Sequence, residues 1–372
     1  MGGTDFSKSN LFQASISDLY DGMVVQEDIY DADASTLIIQ RGVKLTPSDR
    51  ARVLSLNSDR DTIHVTGATY SNLMEHKPKF EPVQLTKLVE ETGYTAAKDE
   101  TFSLLDEIVT TRAVRQEALL EVSNELSNRL EVTSPSVILS LINALAPVDE
   151  YLQRHCVNVG LLNGLIAQWM GLNKNEVDKL VLIGLLHDCG KALIPVQVLN
   201  APRKLTVVEF EVIKMHPVFS YNLLKDFPEP VRQGARCHHE KINGYGYPDR
   251  YTLNDIPWEA RITAISDIYD AMVSQRAYKN AGSPFSTMGM LKSLMDSDVD
   301  AGYVDIFVRL MPKELMGKPI LMSDGSIGVL RSFDPDDIEH PTIEVNGRII
   351  KSSEFFYCTS MYTDADSGEQ KE

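Results

Sequence analysis

The sequence predicts a mainly α-helical chain that carries a small N-terminal α/β module and a small β-rich C-terminal appendage. Apolar residues recur at helical spacing through most of residues 100–312, whereas both ends hold short β-like runs between turns rich in Gly, Pro and Asp. The 372 residues are enough for two or three domains, and 43% of them are hydrophobic, which is enough to fill real cores.

Residues 1–75 are predicted to form the N-terminal α/β module. Short β-like runs at residues 37–39 and 62–65 are separated by turns rich in Gly and Asp. Between them, the Thr-Pro-Ser-Asp string that begins at Thr46 starts a short helix that continues to Leu54. The module holds no cluster with catalytic potential, so we interpret it as accessory.

Residues 76–132 are predicted to be a linker followed by a connecting helix. Residues 76–98 are polar and contain Pro78 and Pro82, which is typical of a linker. From about Glu100 to Leu130, apolar residues recur at helical spacing and predict one long amphipathic helix. We expect this helix to pack on the next domain, while a homodimer formed through it stays open.

Residues 133–312 are predicted to form the helical domain that carries the chemistry. Ser134-Pro135 begins one helix, and Thr206 with Glu209 has the spacing of a capping box before another. Residues 313–372 change character, because turns at 324–325 and 346–347 alternate with β-like runs at 327–330 and 342–345. This last part is predicted to be the β-rich appendage, with a polar, disordered tail from about Asp364.

The charge balance limits the classes of partner. The formal net charge is −17, from 53 acidic and 36 basic residues. Binding to nucleic acid polymers or to anionic membranes requires clustered Lys and Arg, so this composition argues against both functions. A phosphate-bearing substrate would have to be attracted locally, by metal ions or by a few well-placed cations.

The sequence also predicts a soluble, cytoplasmic protein. The four cysteines show no paired framework and no Cys-x-x-Cys spacing, which suits a reducing compartment. The N-terminus lacks the basic and then apolar layout of a signal peptide. No apolar run approaches the roughly 18–20 residues that a membrane span requires.

Five of the eight histidines fall between residues 155 and 239. His187 and Asp188 follow the apolar run 180–186, so we expect them near the end of a buried helix. A buried His-Asp pair needs partners, because an unpaired charge in a core is very costly. Metal coordination supplies such partners, and an Asp beside a His can bridge two metals.

Further histidines and an aspartate lie in helical surroundings, namely His155, His216 before Pro217, the pair His238-His239 before Glu240, and Asp267 in a helix from about Pro257. Imidazole and carboxylate groups suit Fe, Mn or Zn, and no cysteine ligand is needed. A lone histidine on an apolar helix is more often a satisfied core residue than a ligand. The ordered set as a whole is specific.

Residues 150–280 resemble the HD-GYP family, a branch of the HD phosphohydrolases of bacterial signalling. The family pattern of His, His-Asp-x-Gly-Lys-x-x-Ile-Pro, His-Pro, His-His-Glu, Gly-Tyr-Pro and Asp-x-Tyr-Asp-Ala is matched in that order. The string from Arg276 to Lys279 also matches the family's Arg-x-Tyr-Lys. The segment around Gly22-Met23-Val24 resembles an accessory module found ahead of such domains.

The resemblance implies a helical domain that hydrolyses cyclic di-GMP at the 3′ phosphodiester to linear pGpG, GMP or both. Two divalent metal ions, iron with manganese as the alternative, would hold a bridging hydroxide, because coordination lowers the pKa of water towards about 7. Asp188, which would bridge the metals, and Lys191 would be the catalytic residues. Lys191, Arg276 and Lys279 would contact the substrate phosphates. The implied metal ligands are His155, His187, Asp188, His216, His238, His239 and Asp267.

Two positions depart from the family pattern. Some members bind a third metal through a Glu at the position of Tyr151, and Glu150 is about 100° around the helix from it. We therefore expect two metals. Asn243 replaces an Asp between His-His-Glu and Gly-Tyr-Pro, which affects loop contacts rather than ligands. The loop at Gly246, Tyr247 and Pro248 is expected to shape a surface for a protein partner such as a diguanylate cyclase.

Alternative functions remain open from the sequence alone. The substrate could be another cyclic dinucleotide such as cyclic GMP-AMP, or the chain could be a slow cyclic di-GMP sensor that acts through protein partners. The complete ligand set favours the enzyme, because a pure sensor does not need a hydroxide-generating centre. Glu240 and Asp270 could orient ligand histidines, and the cysteines beside the ligands are interpreted as apolar filler.

Overall fold

The computed structural model describes residues 12–15, 24–26, 28–30, 37–46, 48–49, 62–66, 84, 87, 89, 92–144, 151–201, 203–273, 283–353 and 356–362. These residues divide into two compact units. One unit contains the described residues between 12 and 66 together with Met316–Tyr362, and the other contains those between 84 and 315. The domain boundaries at residues 75, 132 and 312 stay predictions.

The second unit consists mainly of helices in its described residues. Its helices are α1 (Tyr94–Thr111), α2 (Gln116–Val132), α3 (Pro135–Ala144), α4 (Tyr151–Trp169), α5 (Lys174–Leu186), α6 (Val196–Leu199), α7 (Val207–Ile213), α8 (His216–Leu223), α9 (Glu229–Cys237), α10 (Trp258–Val273), α11 (Pro284–Ser293) and α12 (Ala301–Glu314). A 3₁₀ turn at Cys189–Leu193 follows α5. Among the described helices, none combines the length and the apolar character that a bilayer crossing requires.

The first unit contains antiparallel sheets. Its strands are β1 (Phe12–Ser15), β2 (Val24–Val25), β3 (Ile29–Tyr30), β4 (Leu37–Ile39), β5 (Thr62–Thr66), β6 (Pro319–Met322), β7 (Ile327–Ser332), β8 (Thr342–Val345), β9 (Arg348–Lys351) and β10 (Cys358–Met361). They pair in the orders β1-β5-β2, β3-β4 and β10-β6-β7-β8-β9. The four predicted β-like runs are therefore confirmed as strands.

The turn between β8 and β9 follows from its two residues. Asn346 and Gly347 have φ angles of 52° and 76°, and Val345 pairs with Arg348 across the hairpin. Two successive positive φ angles match the right-handed twist of the flanking strands, and Asn-Gly tolerates them better than other residue pairs. This agrees with the turn predicted at 346–347. The predicted tail from Asp364 lies outside the described residues.

The single long helix predicted from about Glu100 to Leu130 is wrong, because the structure contains α1 and α2 with a break between them. Arg112 ends α1 with φ 56°, and its N–H donates to the Ile108 carbonyl. A left-handed residue at this position stops a right-handed helix. The chain then reverses, so that α1 and α2 pack on each other and both contact α4. The last residues of the range predicted as a linker, 76–98, are helical, because α1 begins at Tyr94.

A pair of glycines brings α4 and α5 close together. A Cβ atom on Gly184 would lie 2.5 Å from the Gly160 Cα, so neither helix could approach as closely with a larger residue. His155 lies on α4 before this crossing, and His187 follows the end of α5. The crossing places the centroids of these two imidazole rings 5.1 Å apart.

A third glycine packs the 3₁₀ turn against α8. A Cβ on Gly190 would lie 2.1 Å from the His216 carbonyl oxygen. The Gly190 N–H donates to the Ser220 hydroxyl at 2.9 Å, and that hydroxyl donates to the His187 carbonyl at 2.9 Å. These contacts hold His216 beside the His-Asp pair.

The helix starts agree with the sequence signals. Thr206 Oγ1 accepts from the Glu209 N–H at 3.3 Å, and Glu209 Oε2 accepts from the Thr206 N–H at 2.8 Å. These two bonds form the predicted capping box, which satisfies donors that the helix itself leaves unpaired. The helix α3 begins at Pro135, as predicted. Of the helix predicted at 46–54, the structure describes Thr46, Ser48 and Asp49; Ser48 and Asp49 are helical, and Thr46 is not.

We predict that Gly184→Ala destabilises the helical unit by about 1–3 kcal/mol, because the new methyl group meets backbone atoms of α4 that cannot move aside. Thermal unfolding followed by circular dichroism measures this change. Gly302→Ala is the matched control, because its nearest neighbour is the side-chain oxygen of Asp300 at 3.2 Å. Equal stability of the Gly184 variant and wild type would contradict the glycine crossing.

Candidate metal centre

Seven side chains from five segments of the chain converge in the helical unit. Their metal-binding atoms form two groups, and within each group these atoms lie within 4.8 Å of one another. The groups are Asp188, His216, His238 and His239, and His155, His187 and Asp267. The structure thus brings together all seven residues that the sequence analysis proposed as ligands, while their role as ligands stays a prediction.

Asp188 lies between the two groups. Its Oδ1 atom is 3.1 Å from His216 Nε2, and its Oδ2 atom is 3.3 Å from His187 Nε2 and 3.6 Å from His155 Nε2. One carboxylate oxygen therefore faces the first group and the other faces the second. This position is the one that a bridging ligand requires.

Three of the histidines are oriented by backbone carbonyls in the last turn of the helix that precedes them. His187, His216 and His238 each place Nδ1 against the backbone carbonyl three residues earlier, at 2.6, 2.8 and 2.8 Å. Carbonyls in the last turn of a helix lack intrahelical partners and can accept these bonds. Since a carbonyl only accepts, each Nδ1 carries the proton and each Nε2 directs its lone pair to the centre.

His155 is oriented by a carboxylate instead. Its Nδ1 lies 2.7 Å from Asp270 Oδ2, and its Nε2 lies 3.1 Å from Asp267 Oδ1. Burial disfavours the charged ring, but the hydrogen bonds with Asp267 and Asp270 raise the pKa of His155 to about 9. Asp270 therefore lies against His155, one of the proposed ligand histidines, as predicted from the sequence.

The electrostatics of the first group favour metal binding. Burial lowers the pKa of His239 to about 3, and burial together with neighbouring histidines lowers the pKa of His238 well below its usual value. Both rings are therefore neutral at pH 7, which is the form that binds a metal. Burial opposes ionisation of Asp188, but Lys191 and His187 hold the pKa of that carboxyl well below its usual range.

The residues fit a pair of divalent cations. His187 Nε2 and Asp188 Oδ1 are buried, and neither makes a hydrogen bond within the described part of the chain. Each such atom costs about 1–3 kcal/mol unless a partner satisfies it. Cations coordinated by these atoms would remove that cost, and a donor set of imidazoles and carboxylates suits iron, manganese or zinc.

The residues expected to contact substrate are only partly described. Lys191 comes from the 3₁₀ turn, and its Nζ forms an ion pair with Asp188 Oδ2 while 21% of its side chain is exposed. Arg276, Lys279 and Glu150 lie outside the described residues. Their predicted roles, and the expectation of two metals rather than three, therefore stay predictions.

The loop at residues 246–248 lies against the site, which the sequence analysis did not foresee. The ring of Tyr247 lies 4.8 Å from that of His239 and 6.4 Å from that of His216, measured between centroids. Its N–H also donates to the His239 carbonyl at 3.2 Å. A Cβ on Gly246 would meet the Lys241 backbone nitrogen at 2.3 Å, so only glycine allows this approach. Spacing along the sequence carries no signal for the contact.

Glu240 fastens this loop. Its carboxylate accepts the backbone N–H groups of Asp249, Arg250 and Tyr251 at 2.6, 3.0 and 3.0 Å. Arg236 on α9 adds a two-pronged bond to the Asp249 carboxylate at 2.6 and 2.8 Å. The hydrogen bonds described for Glu240 therefore go to the loop backbone, and the histidine-orienting role belongs to Asp270.

Asn243 also fits this loop better than a carboxylate would. Its Nδ2 donates to Asp298 Oδ1 at 3.1 Å, and its Oδ1 accepts from the Tyr245 N–H at 3.0 Å. An Asp at position 243 would face the carboxylate of Asp298. Asn243, which departs from the family pattern, is thus complementary to Asp298 of this chain.

The cysteines beside the site are buried and free. Burial raises the pKa of Cys189 and Cys237 to about 12 and that of Cys156 well above its usual value. Protonated thiols are weak nucleophiles. This supports their interpretation as apolar filler.

The helical unit is similar in sequence to known proteins. The HD domain model matches residues 117–302. The chain is 34% identical over 208 residues to the cyclic di-GMP phosphodiesterase response regulator RpfG of Xanthomonas campestris pv. campestris, covering 55% of this chain and 54% of that protein. It is 35% identical over 178 residues to a cyclic di-GMP phosphodiesterase of Thermotoga maritima, covering 46% and 48%.

The chain is also similar to a protein named for another cyclic dinucleotide and to a solved structure. The 3′3′-cGAMP-specific phosphodiesterase 2 of Vibrio cholerae is 34% identical over 155 residues, which cover 41% of this chain and 30% of that protein. A solved structure of an HDG"Y"P protein from Bdellovibrio bacteriovorus covers 82% of this chain and 100% of its own, with 15% identity and a TM-score of 0.49. The chain spans about half the length of the first curated relatives that it matches.

We predict that Glu240→Gln loosens the loop that carries Tyr247. A glutamine offers one acceptor oxygen and one donor nitrogen, so at least one of the three loop N–H groups loses its acceptor. Amide hydrogen exchange at residues 249–251 should accelerate about 10- to 100-fold, because bonds to a charged acceptor contribute about 1.5–3 kcal/mol. Glu229→Gln is the control, since the described partners of Glu229 are all side chains. Unchanged exchange in the Glu240 variant would refute the fastening role.

Proposed function

Since this chain belongs to the HD domain family, we propose that it is a metal-dependent phosphodiesterase that hydrolyses cyclic di-GMP to linear pGpG, GMP or both. The observation that carries the proposal is the position of Asp188, buried between two groups of histidine and carboxylate ligands. The relatives named as cyclic di-GMP phosphodiesterases, at 34% and 35% identity, support the substrate.

The reaction adds water across the bond between phosphorus and the 3′ oxygen, and it leaves a 5′ phosphate and a 3′ hydroxyl. When bound, two divalent cations supply Lewis acidity that lowers the pKa of water towards about 7 and neutralises charge on the phosphoryl oxygens. His155, His187 and Asp267 would hold one cation, and the group around His216 would hold the other, with Asp188 shared. We propose iron, with manganese as the alternative, because the ligands offer nitrogen and oxygen but no thiolate.

The remaining side chains bind and orient the substrate. The Lys191 side chain is partly exposed beside Asp188, where its positive charge can attract a phosphate despite the acidic net charge of −17. Arg276 and Lys279 are proposed as further phosphate contacts. The Tyr247 ring covers one side of His239 and thereby restricts the entry of water on that side.

The surface beside the site is proposed to receive a protein partner, such as a diguanylate cyclase, through the loop at residues 246–248. Tyr245, next to this loop, is 85% exposed, and an exposed aromatic ring is a common anchor in protein interfaces. A homodimer remains a further proposal. Binding to nucleic acid polymers or to membranes is not proposed, because of the acidic composition, and a cytoplasmic location stays a prediction from the sequence.

A second candidate substrate is 3′3′-cyclic GMP-AMP. The observation that favours it is the 34% identity with the 3′3′-cGAMP-specific phosphodiesterase 2 of Vibrio cholerae. The two substrates share their sugar-phosphate ring and differ in one base. The metal centre therefore cannot distinguish them, and a direct comparison of rates is needed.

We predict that the full chain, purified without oxygen and reloaded with Fe(II) or Mn(II), binds two metal ions and consumes cyclic di-GMP. Chromatography measures loss of substrate and appearance of pGpG or GMP, and elemental analysis measures metal per chain. A parallel reaction with 3′3′-cyclic GMP-AMP ranks the two substrates. Two bound metals with both substrates intact would contradict the enzyme and favour the slow sensor.

The double variant His187→Ala with Asp188→Ala tests the ligand assignment in the same assay. It should lose metal and all turnover, because it removes the shared carboxylate and a buried imidazole. His340→Ala is the control, since His340 lies in the other unit and pairs with Asp337. Normal metal content and rate in the double variant would overturn the assignment.

We predict that Lys191→Ala lowers kcat by about 10²–10³-fold while the metal content stays near two per chain, because the lost cation stabilises phosphoryl charge. Lys174→Ala is the control, since Lys174 also pairs with an aspartate one helical turn away, Asp178, outside the metal groups. A wild-type rate in Lys191→Ala would remove this residue from the catalytic set. Loss of metal would make it a residue that maintains the site.

A further inference from the structure

A continuous line of buried hydrogen bonds leads from the metal centre to the first residue of α1. His155 Nδ1 and Asn158 Nδ2 lie 2.7 Å from the two oxygens of Asp270, and the Tyr94 hydroxyl donates to Asn158 Oδ1 at 2.7 Å. Asp270 is 0% exposed, and the other three residues are each 2% exposed. Water therefore does not compete for these bonds, and each distance lies at the short end of the normal range.

The direction of each bond follows from the chemistry of the groups. A carboxylate only accepts, so Asn158 must turn its NH₂ group towards Asp270. Its amide oxygen then faces the Tyr94 hydroxyl, which donates. Because the Asp270 carboxylate only accepts, His155 carries a proton on Nδ1, and its Nε2 lies 3.1 Å from Asp267 Oδ1. Reversal of the amide would place its oxygen against the carboxylate.

The line joins three helices of one unit. His155 and Asn158 are three residues apart on α4, which places them on the same face. Asp270 lies on α10, and Tyr94 lies on α1. Burial, reinforced by Asp270, raises the pKa of Tyr94 well above its usual value, so the hydroxyl keeps the proton that it donates.

We propose that Tyr94 and Asn158 are positioning residues of the metal centre, which fix the plane of the Asp270 carboxylate and through it the orientation and tautomer of His155. The inference rests on the metal centre of the proposed function and extends it to α1, which precedes the residues 117–302 matched by the HD domain model. Outer partners of ligand histidines commonly set metal affinity. The affinity of this centre therefore depends on a helix outside the matched region.

Titration of the metal-free full chain with Mn(II) tests the proposal, with the electron paramagnetic resonance signal of free Mn(II) as the readout. Tyr94→Phe removes only the hydroxyl and should weaken one of the two sites about 3- to 10-fold, because the lost bond is two links from the ring. Asp270→Asn should weaken the same site about 10- to 100-fold.

A matched control separates positioning from stability. Tyr269→Phe removes an equally buried hydroxyl that donates to Asn143 at 2.8 Å, and Asn143 is not among the proposed ligands or their described partners. Thermal unfolding should show similar destabilisation in both tyrosine variants. Only Tyr94→Phe should change the Mn(II) affinity.

A double-variant cycle shows whether Tyr94 acts through Asp270. Tyr94→Phe should have no further effect on Mn(II) affinity when Asp270→Asn is already present, because that variant already disrupts the bond between residue 270 and the His155 ring. Additive losses would overturn the proposal, as would wild-type affinity in Tyr94→Phe or an equal loss in Tyr269→Phe. A wild-type chain that binds no Mn(II) would overturn the metal centre as well. Failure to hydrolyse cyclic dinucleotides would overturn the proposed function alone, since the titration contains no substrate.

Discussion

The burial of the Asp188 carboxylate is the constraint on which the rest of the helical unit depends. Removing such a charge from water costs several kcal/mol, and that cost is offset by the Lys191 ammonium group and, in the proposed function, by the cations that the surrounding imidazoles would hold. Lys191 comes from the next turn of the same segment and His187 directly precedes Asp188, but His155 and His216 come from helices far apart in the sequence. The helices that carry them must therefore end or cross at one point.

Small residues make that convergence sterically feasible. Gly160 and Gly184 let α4 and α5 touch backbone to backbone, and Gly190 lets the 3₁₀ turn touch the start of α8. A Cβ at Gly184 or Gly190 would meet backbone atoms at 2.5 or 2.1 Å, so larger residues would force these segments apart and shift the imidazoles relative to the carboxylate. Close packing at the glycines is therefore needed for the imidazoles to meet at the centre. The backbone carbonyls at the helix ends then hold the proton of His187, His216 and His238 on Nδ1, so no further side chain is needed for this.

The sequence predicted the parts of this arrangement that are local. His187-Asp188 after an apolar run, the capping box at Thr206 and the strand runs each depend on neighbours within a few residues. The break between α1 and α2 was missed because Arg112 is not a residue type that signals a left-handed helix end. The contact of Tyr247 with His239 was missed because loop geometry, not spacing, produces it.

Asn158 is a residue whose buried hydrogen bonds could be partly predicted from the sequence. It lies three residues after His155 within an otherwise apolar stretch of α4, and a buried amide must find partners. The sequence could have predicted that Asn158 faces something polar, but not that the partners are Asp270, 112 residues later, and Tyr94, 64 residues earlier. A segment that composition marks as a linker thus supplies a group to the centre, because burial obliges every polar atom there to be paired. The hydrogen bonds from His155 through Asp270 and Asn158 to Tyr94 therefore extend beyond the sequence motif by which the metal centre is identified.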